Sequence, residues 1–505
     1  MNPFFCRVRC VRRVAMALAA MASIFTIGCG SGVHIVPVKG GFSNANLKGS
    51  YAYTDKGYGF NVNSNAANFF VEGGVFTADG SGNITGTDDF VEAVPNTTQA
   101  FTGNAVTGTY SINRDGTGDL VFQFAGGGLA GLSQAFRITL RDGGHLYMEE
   151  EDGSGTSAGS AELQDSALLS TTPSGTFVFR THDVRVSSTM ARVAITSGAL
   201  NGSYLMIQNG TPVTGSIVAG SMTAPSAGRG TVSYLVNGIT HSAEYYVVSS
   251  SKFLLLDTTT NILSVGLAEQ QSNITFSAAS LTGPFAFGSS GETTTPGFVN
   301  TVGTFTTDGV SQVTAANDDS VQDGSVSSNQ TASGNYLVDN SVGNGSGSFT
   351  IGGLTRDLWM VSPSRAYFIA LNGANVEDGT IDQQTGAFTN TSLSTQAAFF
   401  MDGFDATGVD GLFKDRVGTL VPSGTDSLGT NYLASFFDYI ALAGGTQSNA
   451  FSGTYSVASN GRTTTVLNGF TSNIVLYLTT NSTGYMLQAD TGINMSGTFT
   501  AQPAQ

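Results

Sequence analysis

Apolar and polar residues alternate along short stretches of this chain, and each stretch ends in a turn. In Phe136-Arg137-Ile138-Thr139-Leu140-Arg141 the apolar side chains fall on one face and the polar ones on the other, as a half-buried antiparallel strand requires. Asp79-Gly80, Asp115-Gly116, Asn209-Gly210 and Asn460-Gly461 stand between such stretches and supply residues that tolerate positive φ. The pattern predicts many short strands joined by hairpins, with almost no helix.

The same order of segments recurs. Gly108-Thr109-Tyr110, Gly220-Ser221-Met222, Gly334-Asn335-Tyr336 and Gly453-Thr454-Tyr455 follow one another at separations of 112, 114 and 119 residues. Each unit opens on an aromatic strand: Tyr51-Ala52-Tyr53, Phe177-Val178-Phe179, Phe285-Ala286-Phe287 or Phe399-Phe400. Each closes on a short strand ending in Gln164, Gln270, Gln383 or Gln502. Such a period is too long for one propeller blade or solenoid turn and matches a small domain. About eight strands per unit are best closed into a barrel or split into a sandwich, since both control exposed edges. The expected fold is all-β, a tandem array of four antiparallel β-barrel or β-sandwich domains at residues 45–165, 172–271, 280–385 and 396–505. The segment order resembles the avidin and lipocalin type of up-and-down barrel, which also opens near a Gly-x-aromatic strand and carries a GTY-like strand midway. Biotin-binding avidins use several Trp residues in their pocket. Only Trp359 exists here, so the resemblance implies a barrel without biotin binding.

Composition narrows the class further. Among 505 residues only 11% are charged, and Gly (66) far outnumbers Lys and Arg together (20), as a turn-rich β protein would show. Hydrophobic residues at 40% are too many for disorder. A formal charge of −16 lacks the basic footprint that nucleic-acid binding needs.

Arg7, Arg9, Arg12 and Arg13 precede an uncharged run from Val14 to Gly28, which is too short and too rich in Ala and Gly for a membrane span. The run ends in Phe25-Thr26-Ile27-Gly28-Cys29. This resembles the lipobox of bacterial lipoproteins, in which a small residue precedes a Cys; Thr26 stands where Leu is usual. The resemblance implies removal of a signal peptide at residues 1–28, lipidation of Cys29 and a tether over 29–44, with the membrane as partner through the lipid. Ala20-Met21-Ala22 offers an alternative site for ordinary signal peptidase. Gly30 occupies the place where lipoproteins held at the inner membrane often carry Asp. The family analogy therefore points to the outer membrane, facing the periplasm or the cell surface. Cys6 and Cys10 lie in the leader, so Cys29 is the one Cys of the mature chain and no intramolecular disulfide can form. Loss of the four leader Arg takes the formal charge to −20.

Candidate chemistry is sparse. Gly155-Thr156-Ser157-Ala158-Gly159 fits G-x-S-x-G, but a nucleophile elbow needs a strand before it and a helix after it. Here an acidic run, Glu149 to Asp152, precedes a Gly/Ser stretch that reads as a hairpin loop. His34, His145, His182 and His241 form no metal motif and do not recur at equivalent places, so each reads as an ordinary strand or surface residue. Asp79, Ser81 and Asn83 have the oxygen spacing of a calcium loop, but Ile84 and Phe90 stand where Gly and Glu are needed; a polar turn is expected. The acidic pairs Asp88-Asp89 and Asp318-Asp319 correspond between units, which suggests surface design. No metal and no cofactor is expected. Alternating strand aromatics read as core, with a sugar contact as the lesser use. An integral outer-membrane barrel is disfavoured by the lipobox, the domain-sized period and the polar Gln505. The expected function is a structural, adhesive or binding role at the bacterial cell envelope, not an enzyme, with a cell-wall glycan or surface protein as partner. Stacked domains would project outward from the lipid and act multivalently. The alternative is a secreted or anchored glycan-acting enzyme or carbohydrate-binding protein.

Overall fold

The computed structural model describes residues 41–60, 67–94, 97–184, 187–293, 297–370, 375–405, 412–438, 443–468 and 473–503. Cys29, the leader and most of the tether lie outside them. Among the described residues there is no α-helix; 32 strands form four closed antiparallel barrels of eight strands each. The expected array of four β-domains is present, and its units are barrels. They run from β1 (Lys48–Phe60) to β8 (Gly155–Leu163), β9 (Gly175–Asp183) to β16 (Ser264–Gln270), β17 (Thr282–Thr293) to β24 (Asn375–Gln383), and β25 (Ala397–Asp405) to β32 (Ile493–Ala501). In every unit the first strand pairs with both the second and the eighth, which closes the sheet and removes its edges.

An eight-stranded barrel is just wide enough for side chains to fill it. In barrel 1 the inward positions carry Tyr51, Tyr53, Phe76, Phe122 and Phe136; in barrel 3 they carry Phe285, Phe287, Phe305, Phe349 and Phe368. These rings pack edge-on or offset, and each buried side chain of this size contributes about 1.5–3 kcal/mol. Alternation along β1 thus sends Tyr51 and Tyr53 inward, leaving Ala52 to face a neighbouring barrel.

The repeated Gly-x-Tyr has a local cause. At Gly108, Gly334 and Gly453 the fourth strand runs so close to the fifth that an added Cβ would overlap the carbonyl oxygen of Val121, Thr350 or Val466. The Tyr hydroxyl then fixes a 3-10 turn across the barrel mouth. Tyr110 donates to Leu47 O (2.8 Å) beside the turn Asn44–Asn46, and Tyr455 donates to Leu393 O (2.7 Å) beside Asn390–Ser392. Tyr336 donates to Ala278 O in the turn Ala278–Ser280. Barrel 2 has Met222 in place of the Tyr, and no 3-10 turn precedes its first strand.

The barrels close on one another. The first three strands of each barrel pack against the last three of the next, and those of barrel 4 pack against the last three of barrel 1. Val71 and Val91 meet Tyr246, Leu254 and Leu256; Leu205 and Ile207 meet Trp359 and Ile369; Val302 and Val321 meet Tyr477 and Leu487. At the fourth junction Ala398, Phe400 and Val417 meet Tyr147. A heterologous head-to-tail contact that closes after four copies makes a ring. The array therefore returns to its start and does not extend as the outward stack expected from sequence.

One residue marks each junction. Gln164, Gln271, Gln384 and Gln502 directly follow the closing strand, and each side-chain amide donates to a carbonyl of the next barrel: Val247 (2.6 Å), Met360 (2.7 Å), Leu478 (2.7 Å) and, across the closure, Leu140 (2.5 Å). In units 2 and 3 the equivalent residue is the second of a Gln pair, one place later than the periodicity suggests. The next residue donates its N–H to the following barrel at Asp165, Ser272 and Thr385. At the fourth junction that place is Pro503, which has no N–H to give.

Candidate functional site

The Gln residues give an internal register. Their backbone N–H groups donate to the carbonyls of Ser50, Thr176 and Pro284 on the first strands and of Gln396 just before the first strand of barrel 4. Six residues further along those strands stand Lys56, His182, Ser290 and Asp402, all on the outward face. These four equivalent positions line one cavity of about 70 Å³ where all four barrels meet. The clamp repeats one residue type four times; the cavity positions hold four different ones.

Charge in the cavity is paired across barrels. Lys56 Nζ lies 3.0 Å from Asp402 Oδ2. His182 Nε2 lies 3.0 Å from Glu292 Oε1, and its Nδ1 lies 2.6 Å from Asp378 Oδ2. Burial alone would lower the imidazole pKa, but the Glu292 and Asp378 carboxylates outweigh it and raise His182 to about 10, so the ring is an imidazolium at neutral pH. For Lys56 burial is likewise outweighed by Asp402 and Glu292, which hold the ammonium charged. Asp415 also lines the cavity and accepts Thr156 Oγ1 at 2.5 Å; burial and then Asp402 push its carboxyl well above the usual range. The rest of the wall is aromatic. Tyr58 stacks on Phe413 with centroids 4.2 Å apart, and Phe69 and Phe298 stand edge-on to Phe413.

A second polar cluster lies inside barrel 1. Asp55, Glu72, Asp88 and Glu150 are at most 4% exposed. Tyr53 Oη donates to Asp88 (2.7 Å), Gln134 to Glu72 (2.9 Å), and Ser157 Oγ to Asp55 (2.7 Å). Burial dominates all four pKa values. Asp55 and Asp88 rise to about 7, and Glu72 and Glu150 rise well above the carboxylate range.

The structure relocates several residues singled out above. Ser157 is on strand β8, fully buried and facing the barrel interior, where sequence suggested a loop; its partner is a carboxylate and not an imidazole. The pair Asp88-Asp89 is buried, not surface: Asp88 points into barrel 1, and Asp89 accepts from Nε and Nη2 of Arg229, both at 2.7 Å, and from Tyr246 Oη. Asp319 takes the same clasp from Arg462 and Tyr477, while Asp318 is half-buried. At the junction between barrels 2 and 3, Leu205 and Trp359 stand in place of the acid and the Tyr, and the contact is apolar. Asp79 accepts from the N–H groups of Ser81 and Asn83, the polar turn that was expected. His145 pairs with Asp142, and His241 pairs with Asp257 while stacking on Tyr234. His34 lies outside the described residues. Among those residues no three His, Cys, Asp or Glu are disposed to hold a metal. Sequence reasoning missed His182 and both Arg clasps. A signal for the clasps existed: acidic pairs occur in units 1 and 3, and Gly-Arg after the mid-unit turn occurs at Gly228-Arg229 and Gly461-Arg462 in units 2 and 4.

Compared with known proteins, the chain matches no family model and no curated protein.

Proposed function

We propose that this protein is an exported, lipid-anchored binding or adhesive scaffold of the bacterial cell envelope. The observation that carries the reading is the fusion of four barrels into one closed ring, which fixes a shared cavity from four directions. Rigid placement of groups from separate domains lowers the ordering cost of binding. The serine of the G-x-S-x-G string supports a non-enzymatic role, because Ser157 is fully buried and its hydroxyl is held by Asp55, a carboxylate and not an imidazole. Its partners are the membrane, reached through lipid on Cys29, and a cell-wall glycan or surface protein. Cys29→Ala tests the anchor. The variant is expected to lose metabolic labelling with a fatty-acid analogue and to leave the membrane fraction. Unchanged membrane retention would defeat the anchored reading.

A further inference from the structure

We infer that Lys56 and Asp402 condense to an amide bond, which joins barrel 4 to barrel 1 and closes the ring covalently. The inference goes beyond the scaffold reading and stands whether or not the chain is lipid-anchored.

Position is the first support. The polypeptide itself links barrel 1 to 2, 2 to 3 and 3 to 4, and the junction between barrels 4 and 1 has no such link. At that junction Lys56 Nζ on β1 lies 3.0 Å from Asp402 Oδ2 on β25. The equivalent residue of barrel 2 is His182, whose ring meets Glu292 and Asp378 of barrel 3 and has no amine to acylate.

The second support is a third carboxyl group. Asp415 on β26 (Leu412–Pro422) stands directly opposite Asp402 in the antiparallel pair, and both line the cavity. Like charges directly opposite one another destabilise a sheet, so a bare ion pair with Lys56 has no use for the second acid. Burial and the Asp402 charge keep a proton on Asp415, and Thr156 Oγ1 donates to its Oδ2. A protonated acid beside the carboxyl under attack is what amide formation needs to carry protons between oxygen and nitrogen. Lys252, which pairs with Glu162 of barrel 1, faces no such acid: Ala52 and His145 stand opposite Glu162.

The third support is the wall. Tyr58, two residues beyond Lys56, stacks on Phe413, two residues before Asp415, and Phe69 and Phe298 stand edge-on to Phe413. In water the ammonium and carboxylate are favoured over the amide by their hydration. Burial weakens that preference, because ions taken out of water lose solvation. Groups held in contact also react at effective molarities on the order of 10⁵–10⁸ M.

The atoms balance without a co-reactant. Lys56 Nζ passes one proton to Asp402 Oδ2, leaving a neutral amine and acid. The nitrogen lone pair bonds to Asp402 Cγ while Asp415 gives its proton to Oδ1 and takes one from the nitrogen. The Cγ–Oδ2 bond then breaks. Oδ2 leaves as water, its second hydrogen coming from Oδ1 by way of Asp415, and Cγ–Oδ1 becomes the amide carbonyl. The sum is ammonium plus carboxylate to amide plus one water. The cavity of about 70 Å³ has room for that water, which needs only about 10–15 Å³. The ion pair favours the charged state, but the reaction runs once per molecule, so a small neutral fraction suffices. It follows closure: Gln502 and Tyr147 first seat barrel 4 on barrel 1, and a ring that stays open does not form the bond.

Mass spectrometry of the purified full-length protein, digested in denaturant, tests this. Lys56 and Asp402 are expected in one branched peptide, lighter by one water than its two segments apart. The boiled parent should also run faster in denaturing electrophoresis than Lys56→Arg, whose chain is not looped. Lys56→Arg keeps the charge pair yet should give two separate peptides, and so should Asp415→Asn with the far-UV spectrum of the parent. If a variant does not fold, the peptides of the parent decide alone. Only linear peptides from the parent, or undiminished branching in folded Asp415→Asn, would overturn the assignment.

Discussion

Four carboxyl groups enclosed in barrel 1 tie its stability to pH. Asp55 and Asp88 titrate at about 7 when folded, against an ordinary value of 3.8. The folded barrel therefore binds more protons than the unfolded chain between these values, and stability falls as pH rises through that window. A tenfold change in proton affinity is worth about 1.4 kcal/mol, and each carboxyl is held about three such factors above its ordinary value, so the combined loss is on the order of 9 kcal/mol. The thermal midpoint is expected to be higher at pH 5 than at pH 8, and Asp55→Asn with Asp88→Asn should flatten the difference. A midpoint that rises with pH would contradict the protonated interior. Nothing in the sequence disclosed this cluster. Asp55 and Glu72 sit in strands whose neighbours alternate normally, and only closure of the sheet turns them toward Asp88 and Glu150. Ser157 was obscure for a related reason: glycines on both sides resemble a loop, yet Gly57 and Gly159 are where strands β1 and β8 crowd each other.

Individual strands and turns were far more legible. Alternation, Asp-Gly and Asn-Gly turns, and the recurring Gly-x-Tyr gave eight strands per unit because these signals are local and each has a steric cause. What escaped was register at unit ends. Gln270-Gln271 and Gln383-Gln384 are pairs, and only contact with the next barrel tells which member acts. The Gly-x-Tyr device makes its own prediction. Tyr455→Phe removes a hydroxyl that holds the 3-10 turn Asn390–Ser392 and should cost about 1 kcal/mol in urea unfolding. Gly453→Ala places a Cβ against the Val466 carbonyl, which sits on a paired strand and cannot step aside, so it should cost more, about 1–3 kcal/mol. A neutral Gly453→Ala would show that the fourth and fifth strands separate freely.

For the whole molecule, three junctions are backed by a covalent link between the barrels they join, and the fourth is not. Gln502 donates to both Leu140 and Asp115 carbonyls, and Tyr147 reaches Thr498 and Thr500 from across the closure. Gln502→Ala with Tyr147→Phe is expected to open the ring there and enlarge the radius of gyration in small-angle scattering. Fluorescence of Trp359, which is buried at the junction of barrels 2 and 3, should stay unchanged. Equal scattering curves for variant and parent would mean that the remaining contacts of that junction, among them Lys56 with Asp402 and Thr156 with Asp415, keep the ring shut. Closure was invisible in the repeat pattern, because four equivalent units fit a straight string as readily as a circle.

That fourth junction also sets an order of events during synthesis. Tyr147 and its partner Thr498 are separated by 351 positions in the chain. A chain emerging from its amino end completes barrel 1 long before the surface that covers Tyr147 exists. Until barrel 4 arrives, the newborn protein carries two uncovered docking faces, the last three strands of barrel 1 and the first three of barrel 3, of the same two kinds that meet at every finished junction. Two such molecules side by side can join head to tail, and with nothing to close the series they lengthen into a fibre. Chains stalled or clipped before the last barrel thus carry a hazard that the finished ring does not, and the speed of the final hundred residues decides how often it is met.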